Sequence, residues 1–188
     1  MFLQHIYNQD QFGENWFTYK QLYTDTVRKY PSGSTFVEIG SWKGKSSAFM
    51  ATEIANSQKN IDFYCVDTWE GSTELKRDVY VPNNLYDIFI DNMKPLEKYY
   101  QSLRTTSLEA ANLFIDNSLD FIFIDASHEY NDVKKDLQAW LPKLKQQGTL
   151  AGHDYDIELF PGVIKAVIEC LPNYKVVTKQ KCFIYTNE

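Results

Sequence analysis

Phe36-Val37-Glu38-Ile39-Gly40-Ser41-Trp42-Lys43-Gly44-Lys45-Ser46-Ser47 is the stretch on which the fold turns. An apolar run ends in an acid, passes through a glycine-rich turn and opens into small residues. Val37 and Ile39 suit a buried strand, with Glu38 at its carboxyl end. Gly40 and Gly44 remove two Cβ atoms where the chain must turn sharply and let a ligand approach. The amides of residues 44–46 then lie at a helix start, ready to bind an acceptor group. This is the layout of a cofactor site at the first strand–helix turn of an α/β sheet.

Two phosphate-binding readings fit this stretch less well. A P-loop needs four residues between its glycines, and Gly40 and Gly44 have three between them. A dinucleotide turn needs G-x-G-x-x-G, but the position two after Gly40 is Trp42, too large for a pyrophosphate to approach. The pattern that remains is Glu-x-Gly-x-x-x-Gly.

The chain has 188 residues, enough for one domain with one full core. Lys plus Arg is 19 and Asp plus Glu is 25, a net charge of −6. An acidic chain without a basic cluster is a poor partner for nucleic acid. No apolar run approaches the ~20 residues that span a bilayer, and no signal peptide is visible at the N-terminus. Cys65, Cys170 and Cys182 lack zinc-ligand spacing and read as free thiols of a reducing cytoplasm.

Around the glycine turn the chain alternates strand and helix. Trp16, Tyr19, Leu22, Tyr23 and Val27 recur at helical spacing, which predicts a helix over 14–30 closed by Pro31. A strand over 35–39 and a helix over 46–57 follow. The run 61–67 is a second strand ending in Asp67, whose carboxylate is placed to accept from both hydroxyls of a cofactor ribose. Trp69, after Thr68, is placed to pack on an adenine face. Residues 71–100 read as a helical insertion that could lid the site. A short strand over 101–105 precedes a helix over 107–115, with Ser107 and Leu108 where such folds contact adenine. Residues 119–125 form a continuous apolar strand, as a central parallel strand requires. A helix over 131–144, ended by Gln147-Gly148, leads to a strand over 149–152. After it come His153 and Asp154, a last helix from Pro161, and an antiparallel pair over 175–178 and 182–186.

This order resembles a class I S-adenosylmethionine (SAM)-dependent methyltransferase from about residue 33 onward. It is most similar to the macrocin-type and glycan-cluster O-methyltransferases, methyltransferase family 24. The matching residues are Val37-Glu38-Ile39-Gly40-Ser41, Val66-Asp67-Thr68-Trp69, Phe123 to Tyr130 with its Asp125-Ala126-Ser127-His128, the helix carrying Asp136 and Trp140, and Gly152-His153-Asp154-Tyr155. The resemblance implies a seven-stranded Rossmann-like sheet, mainly parallel with an antiparallel last strand, helices on both faces, and a single domain over 1–188. It implies a SAM site at Glu38, Gly40, Ser41, Gly44, Asp67, Thr68, Trp69, Ser107 and Asp125. Residues 1–32, a helical extension, and the insertion 71–100 carry no family motif and would set the acceptor.

Methyl transfer needs an in-line nucleophile whose proton is removed or weakened. Metal-assisted relatives use acids after strands four and five to hold Mg²⁺, which fits Asp125 and Asp154. His153 stands where those relatives often have another acid. His128 or His153 could instead be the general base. The resemblance favours a sugar or other small-molecule hydroxyl as acceptor, in a cytoplasmic enzyme with no membrane partner. Two rival classes are a catalytically inactive SAM-fold binding module and an NAD- or nucleotide-dependent Rossmann-type enzyme.

Overall fold

The computed structural model of the chain describes residues 2–71 and 81–188. Helix α1 is Lys20–Lys29, β1 Thr35–Ile39, α2 Lys45–Ser57, β2 Asp62–Asp67 and α3 Leu85–Met93. Then come β3 Gln101–Arg104, α4 Ser107–Ala111, β4 Leu119–Ile124, α5 Tyr130–Trp140 and β5 Leu144–Gly152. The chain ends with α6 Pro161–Cys170, β6 Lys175–Val177 and β7 Cys182–Thr186. One seven-stranded sheet has the order β3-β2-β1-β4-β5-β7-β6. β1 pairs in parallel with β2 and β4, and β4 with β5, while β7 is antiparallel to both β5 and β6. The sequence-based expectation for the sheet is therefore met.

Strand side chains alternate between two cores, as period two demands. Phe36, Phe63, Cys65, Phe121 and Phe123 pack with residues of α1, α2 and α3. Val37, Ile39, Val66, Ile122, Ile124 and Leu150 pack with residues of α4, α5 and α6. The chain winds toward β3 on one side of β1 and toward β6 on the other. The order thus reverses between β1 and β4, where open α/β sheets bind ligands at the carboxyl ends.

Four element boundaries differ from the sequence reading. Residues 14–19 are not helical. Phe17 and Tyr19 are buried while Trp16 is 46% exposed, so period two prevails over the helical period. Helix α5 stops at Trp140, and a single 3₁₀ turn carries Pro142, whose ring cannot continue an α-helix. Gln147 and Gly148 do not end that helix but lie inside β5, where the pairing register with β4 slips between Leu119 and Phe121. Helix α4 is only five residues long, started by a Thr106–Glu109 capping box. Of the expected insertion, residues 85–99 form α3 and a 3₁₀ turn. Residues 72–80 of the expected lid lie outside the described residues.

Candidate active site

The glycine turn is built by backbone constraints. Gly40 has φ +91° and Gly44, the N-cap of α2, φ +89°. A Cβ on Gly40 would sit 1.9 Å from the Asp125 carbonyl oxygen, and one on Gly44 3.0 Å from Met93 Cγ. Both glycines therefore make room for the protein itself. The amide of Gly40 bonds the Val66 carbonyl at 2.9 Å and that of Asp125 bonds Ile39 at 2.8 Å, so the ends of β2, β1 and β4 are level.

Asp67 closes this turn. Its Oδ2 accepts from the amides of Ser41 (3.0 Å) and Trp42 (2.9 Å), and its Oδ1 from Trp69 (2.7 Å). Burial raises its pKa, against the pull of those amides. Trp42 and Trp69 are both left-handed, with φ 49° and 54°. Bulky residues adopt that region at a cost of about 1–3 kcal/mol, a strain that concentrates at functional turns. The Trp69 ring does not present a free face to adenine. It is 2% exposed, lies 4.7 Å from the rings of Tyr86 and Phe89, and donates its indole N–H to the Trp42 carbonyl at 2.8 Å. The expectation for Trp69 is corrected accordingly: α3 takes its ring into the core. Thr68 Oγ1 accepts from the Glu70 amide at 3.3 Å.

Glu38 also departs from expectation. It does not project into the crevice; it points beneath α1 and α2 and is fully buried. Its carboxylate accepts from Tyr23 Oη at 2.9 Å, from Ser41 Oγ at 3.2 Å and from Ser47 Oγ. Burial pushes its pKa up to about 7 despite those hydroxyls, with Asp125 adding repulsion. A folded-state pKa above the unfolded value means stability present at low pH and lost as pH rises through the folded pKa. The wild type should lose about 3 kcal/mol from this group between pH ~4.5 and ~7. Glu38→Gln carries no charge to lose. Denaturant unfolding of both proteins at pH 5 and pH 8 should show their stability difference shifting in favour of the variant at pH 8; an unchanged difference would refute the buried charge.

At the ends of β4 and β5 the expected groups meet. Asp125 and Asp154 flank His153, whose Nδ1 is 3.1 Å from Asp154 Oδ1 and 3.7 Å from Asp125 Oδ1. His128 Nε2 lies 2.8 Å from Asp154 Oδ2, with its ring 4.2 Å from that of Phe160. Asp154 is held in the left-handed region, φ 57°. Burial alone would raise its pKa, but the two imidazoles hold it well below the carboxylate range.

The non-helical segment before α1 completes this cluster, which the sequence reading did not foresee. Tyr19 donates its hydroxyl to Asp125 Oδ2 at 2.7 Å. Thr18 Oγ1 donates its one hydrogen to the Gln180 carbonyl at 2.9 Å, so it accepts from His153 Nε2–H at 2.8 Å. His153 Nδ1 faces only carboxylates and carries the other hydrogen. Burial disfavours charge on this ring, but Asp125 and Asp154 override it and raise the pKa to about 10. An imidazolium has no lone pair, which removes His153 as a general base. The signal available in the sequence was the alternation Trp16-Phe17-Thr18-Tyr19.

Asp125, His128 and Asp154 each offer one donor atom, all within 4.8 Å of one another. That convergence fits a divalent ion, and an imidazole in the set suits Mn²⁺ or Zn²⁺ better than Mg²⁺. Ser107 lies away from this cluster. Its Oγ accepts from Trp140 Nε1 at 2.9 Å and sits beside Asp136, tying α4 to α5, with Leu108 exposed next to it.

Comparison with known proteins speaks to the family and the fold. A relative from Sinorhizobium fredii (strain NBRC 101917 / NGR234), the uncharacterized protein y4gI, is 27% identical over 121 residues, 64% of this chain. The chain spans 13% of that relative's length. The O-methyltransferase NovP superposes with TM-score 0.64 at 14% identity, over 90% of this chain and 79% of that one. A putative caffeoyl-CoA O-methyltransferase from Staphylococcus aureus gives 0.63 at 18% identity, over 90% and 80%. At such identities the shared property is the fold. The family model described as Methyltransferase domain, family 24, matches residues 37–155, from the strand before the glycine turn to the residue after Asp154. With most of its length under that model, and its crevice groups inside the matched span, the chain belongs to this methyltransferase domain family.

Proposed function

We propose that the chain is a SAM-dependent O-methyltransferase acting on a hydroxyl of a small molecule or glycan, in the cytoplasm. One observation carries the reading: a polar cluster of Asp125, His128, His153 and Asp154 stands at the switch point beside the glycine turn. Family membership and the O-methyltransferase names of NovP and the S. aureus protein support the reaction class. The free thiols of Cys65, Cys170 and Cys182 support the compartment, and no helix among the described residues is long and apolar enough to cross a membrane.

SAM supplies the methyl group on a sulfonium cation, which an acid-lined crevice suits. The turn 40–44 would hold its methionine portion, Asp67 a ribose hydroxyl, and Ser107 with Leu108 would border the adenine. The chain's own part is to place the acceptor and take its proton. Asp154 accepts from His128 Nε2–H, which fixes the orientation of the candidate base. Tyr19 holds Asp125, and the His153 ring lies against both the Asp125 and Asp154 carboxylates beside His128. A second reading rests on the three converging donors. A divalent ion on Asp125, His128 and Asp154 would lower the pKa of the acceptor hydroxyl.

Calorimetric titration tests the class. SAM should bind one to one, and NAD and ATP should not; binding of NAD instead would sink the reading. SAM bound without turnover of any hydroxyl acceptor would favour the inactive binding module. Chelator then separates the two proton routes. With His128 as base, activity survives chelator and His128→Gln lowers kcat on the order of 10²-fold or more. With a metal, Mn²⁺ binds one to one and chelator abolishes turnover.

A further inference from the structure

Two tyrosines near the start of α1 make the same bond to different carboxylates. Tyr19, the N-cap of α1, donates its hydroxyl to Asp125 Oδ2 at 2.7 Å. Tyr23, one turn further on, donates to Glu38 Oε1 at 2.9 Å. Both rings are buried, and both lie against Phe123, with centroids 4.3 and 5.1 Å away. The carboxylates differ in place. Glu38 is fully buried, whereas the Asp125 side chain keeps 22% of its surface and lines the cavity at the ends of β4 and β5.

Asp125 belongs to both halves of the crevice. Its carbonyl oxygen is the atom that a Cβ on Gly40 would strike, so its backbone abuts the glycine turn. Its carboxylate stands with His153 and Asp154. Asp154 and Asp67 are already engaged: Asp154 by His128 at 2.8 Å and His153 at 3.1 Å, Asp67 by the amides of Ser41, Trp42 and Trp69. Asp125 Oδ1 is held less closely, with His153 Nδ1 at 3.7 Å, beyond ordinary hydrogen-bond length.

We propose that Tyr19 is a positioning residue for the methyl donor: by holding Asp125 Oδ2 it keeps Oδ1 turned toward the SAM sulfonium. This rests on the methyltransferase reading and adds to it a residue outside the matched span 37–155. A donor fixed on one carboxylate oxygen sets the direction of the other. Tyr19 can do so because its own ring is fixed, with Phe17 at 4.7 Å and Phe123 at 4.3 Å. A carboxylate oriented in advance needs no rearrangement when the cation arrives.

The test titrates the full chain with SAM and records the magnetic resonance signal of SAM labelled in its methyl group. Tyr19→Phe should weaken SAM binding about 3- to 10-fold and move the bound methyl signal. Tyr23→Phe is the control. It too leaves a carboxylate short of one buried donor, so its Tm should fall about as far, yet SAM affinity and methyl signal should hold. Asp125→Ala, at a partly exposed site, should weaken SAM at least as much as Tyr19→Phe. Tyr19→Phe added to Asp125→Ala should cost nothing further, because its effect runs through Asp125. The proposal fails if Tyr19→Phe leaves affinity and signal as in the wild type, or if Tyr23→Phe changes both alike. It fails equally if Asp125→Ala binds SAM normally, or if the two losses add in full. A wild type that does not bind SAM would instead strike the methyltransferase reading, and this proposal with it.

Discussion

Gly40→Ala should yield no stably folded protein, and Gly40→Val less still. The added Cβ would lie 1.9 Å from the Asp125 carbonyl oxygen, 2.6 Å from its carbon and 3.0 Å from Ala126 Cα. All three are backbone atoms, so no side chain can swing aside. The turn cannot retreat either, because Gly40 is bonded to Val66 and Asp125 to Ile39. Relief would require β1 and β4 to part at the centre of the sheet. Added to the φ of +91°, which side chains resist, the cost should exceed about 4 kcal/mol. That is a large share of the ~5–15 kcal/mol that holds an ordinary domain together. Gly33→Ala is the control, since its φ is +89° but nothing lies within 4 Å of the new Cβ. It should cost on the order of 1 kcal/mol. Circular dichroism melts and soluble yield distinguish the two; a cooperative Gly40→Ala melt within a few degrees of wild type would refute the argument.

This result changes what the glycine motif means. In the sequence, Gly40 reads as space for a ligand, whereas in the fold it is space for the β4 backbone. The motif is legible either way, because a sharp turn after a buried strand needs glycine in both cases. The sheet was equally legible: apolar runs ending in Glu38, Asp67 and Asp125, each followed by helical spacing, leave few arrangements other than a parallel sheet with a switch point. What the linear pattern could not carry was direction and partner. Glu38 is one residue short of the strand end, and period two turns it under α1 and α2, where Tyr23 and Ser47 meet it. Trp69 depends on α3, a helix with no family motif, to bury its ring. Thr18 and Tyr19 reach His153 and Asp125 across more than a hundred residues of sequence, a contact that no local spacing announces. His153 in a position expected to be acidic was visible as a letter. Its role as a charged donor emerges only once Thr18 is seen to give its hydrogen to Gln180.

Asp67→Ala should weaken the protein before any cofactor is added. An acid at the end of the second strand would conventionally lose only ribose contacts, with the empty protein unaffected. Here the carboxylate already serves three amides, those of Ser41, Trp42 and Trp69. With about four lone-pair sites on a carboxylate, that leaves room for one ribose hydroxyl rather than two. Removing it strands three amide hydrogens, and releases the left-handed turns at Trp42 and Trp69 from what holds them. Asp67 is partly exposed, so water can replace some of the lost bonds. A cost of about 3 kcal/mol is the reasonable scale, which lowers Tm by about 6–12 °C for a chain of this size. The SAM affinity should fall by a further ~30- to 1,000-fold, through the lost charge-assisted bond and the loosened turn together. Melting without SAM, followed by calorimetric titration with it, separates the two effects. A variant with wild-type Tm and weak SAM binding would return Asp67 to a purely ligand-binding role. One with lowered Tm and unchanged SAM affinity would leave it purely a clamp on the glycine turn.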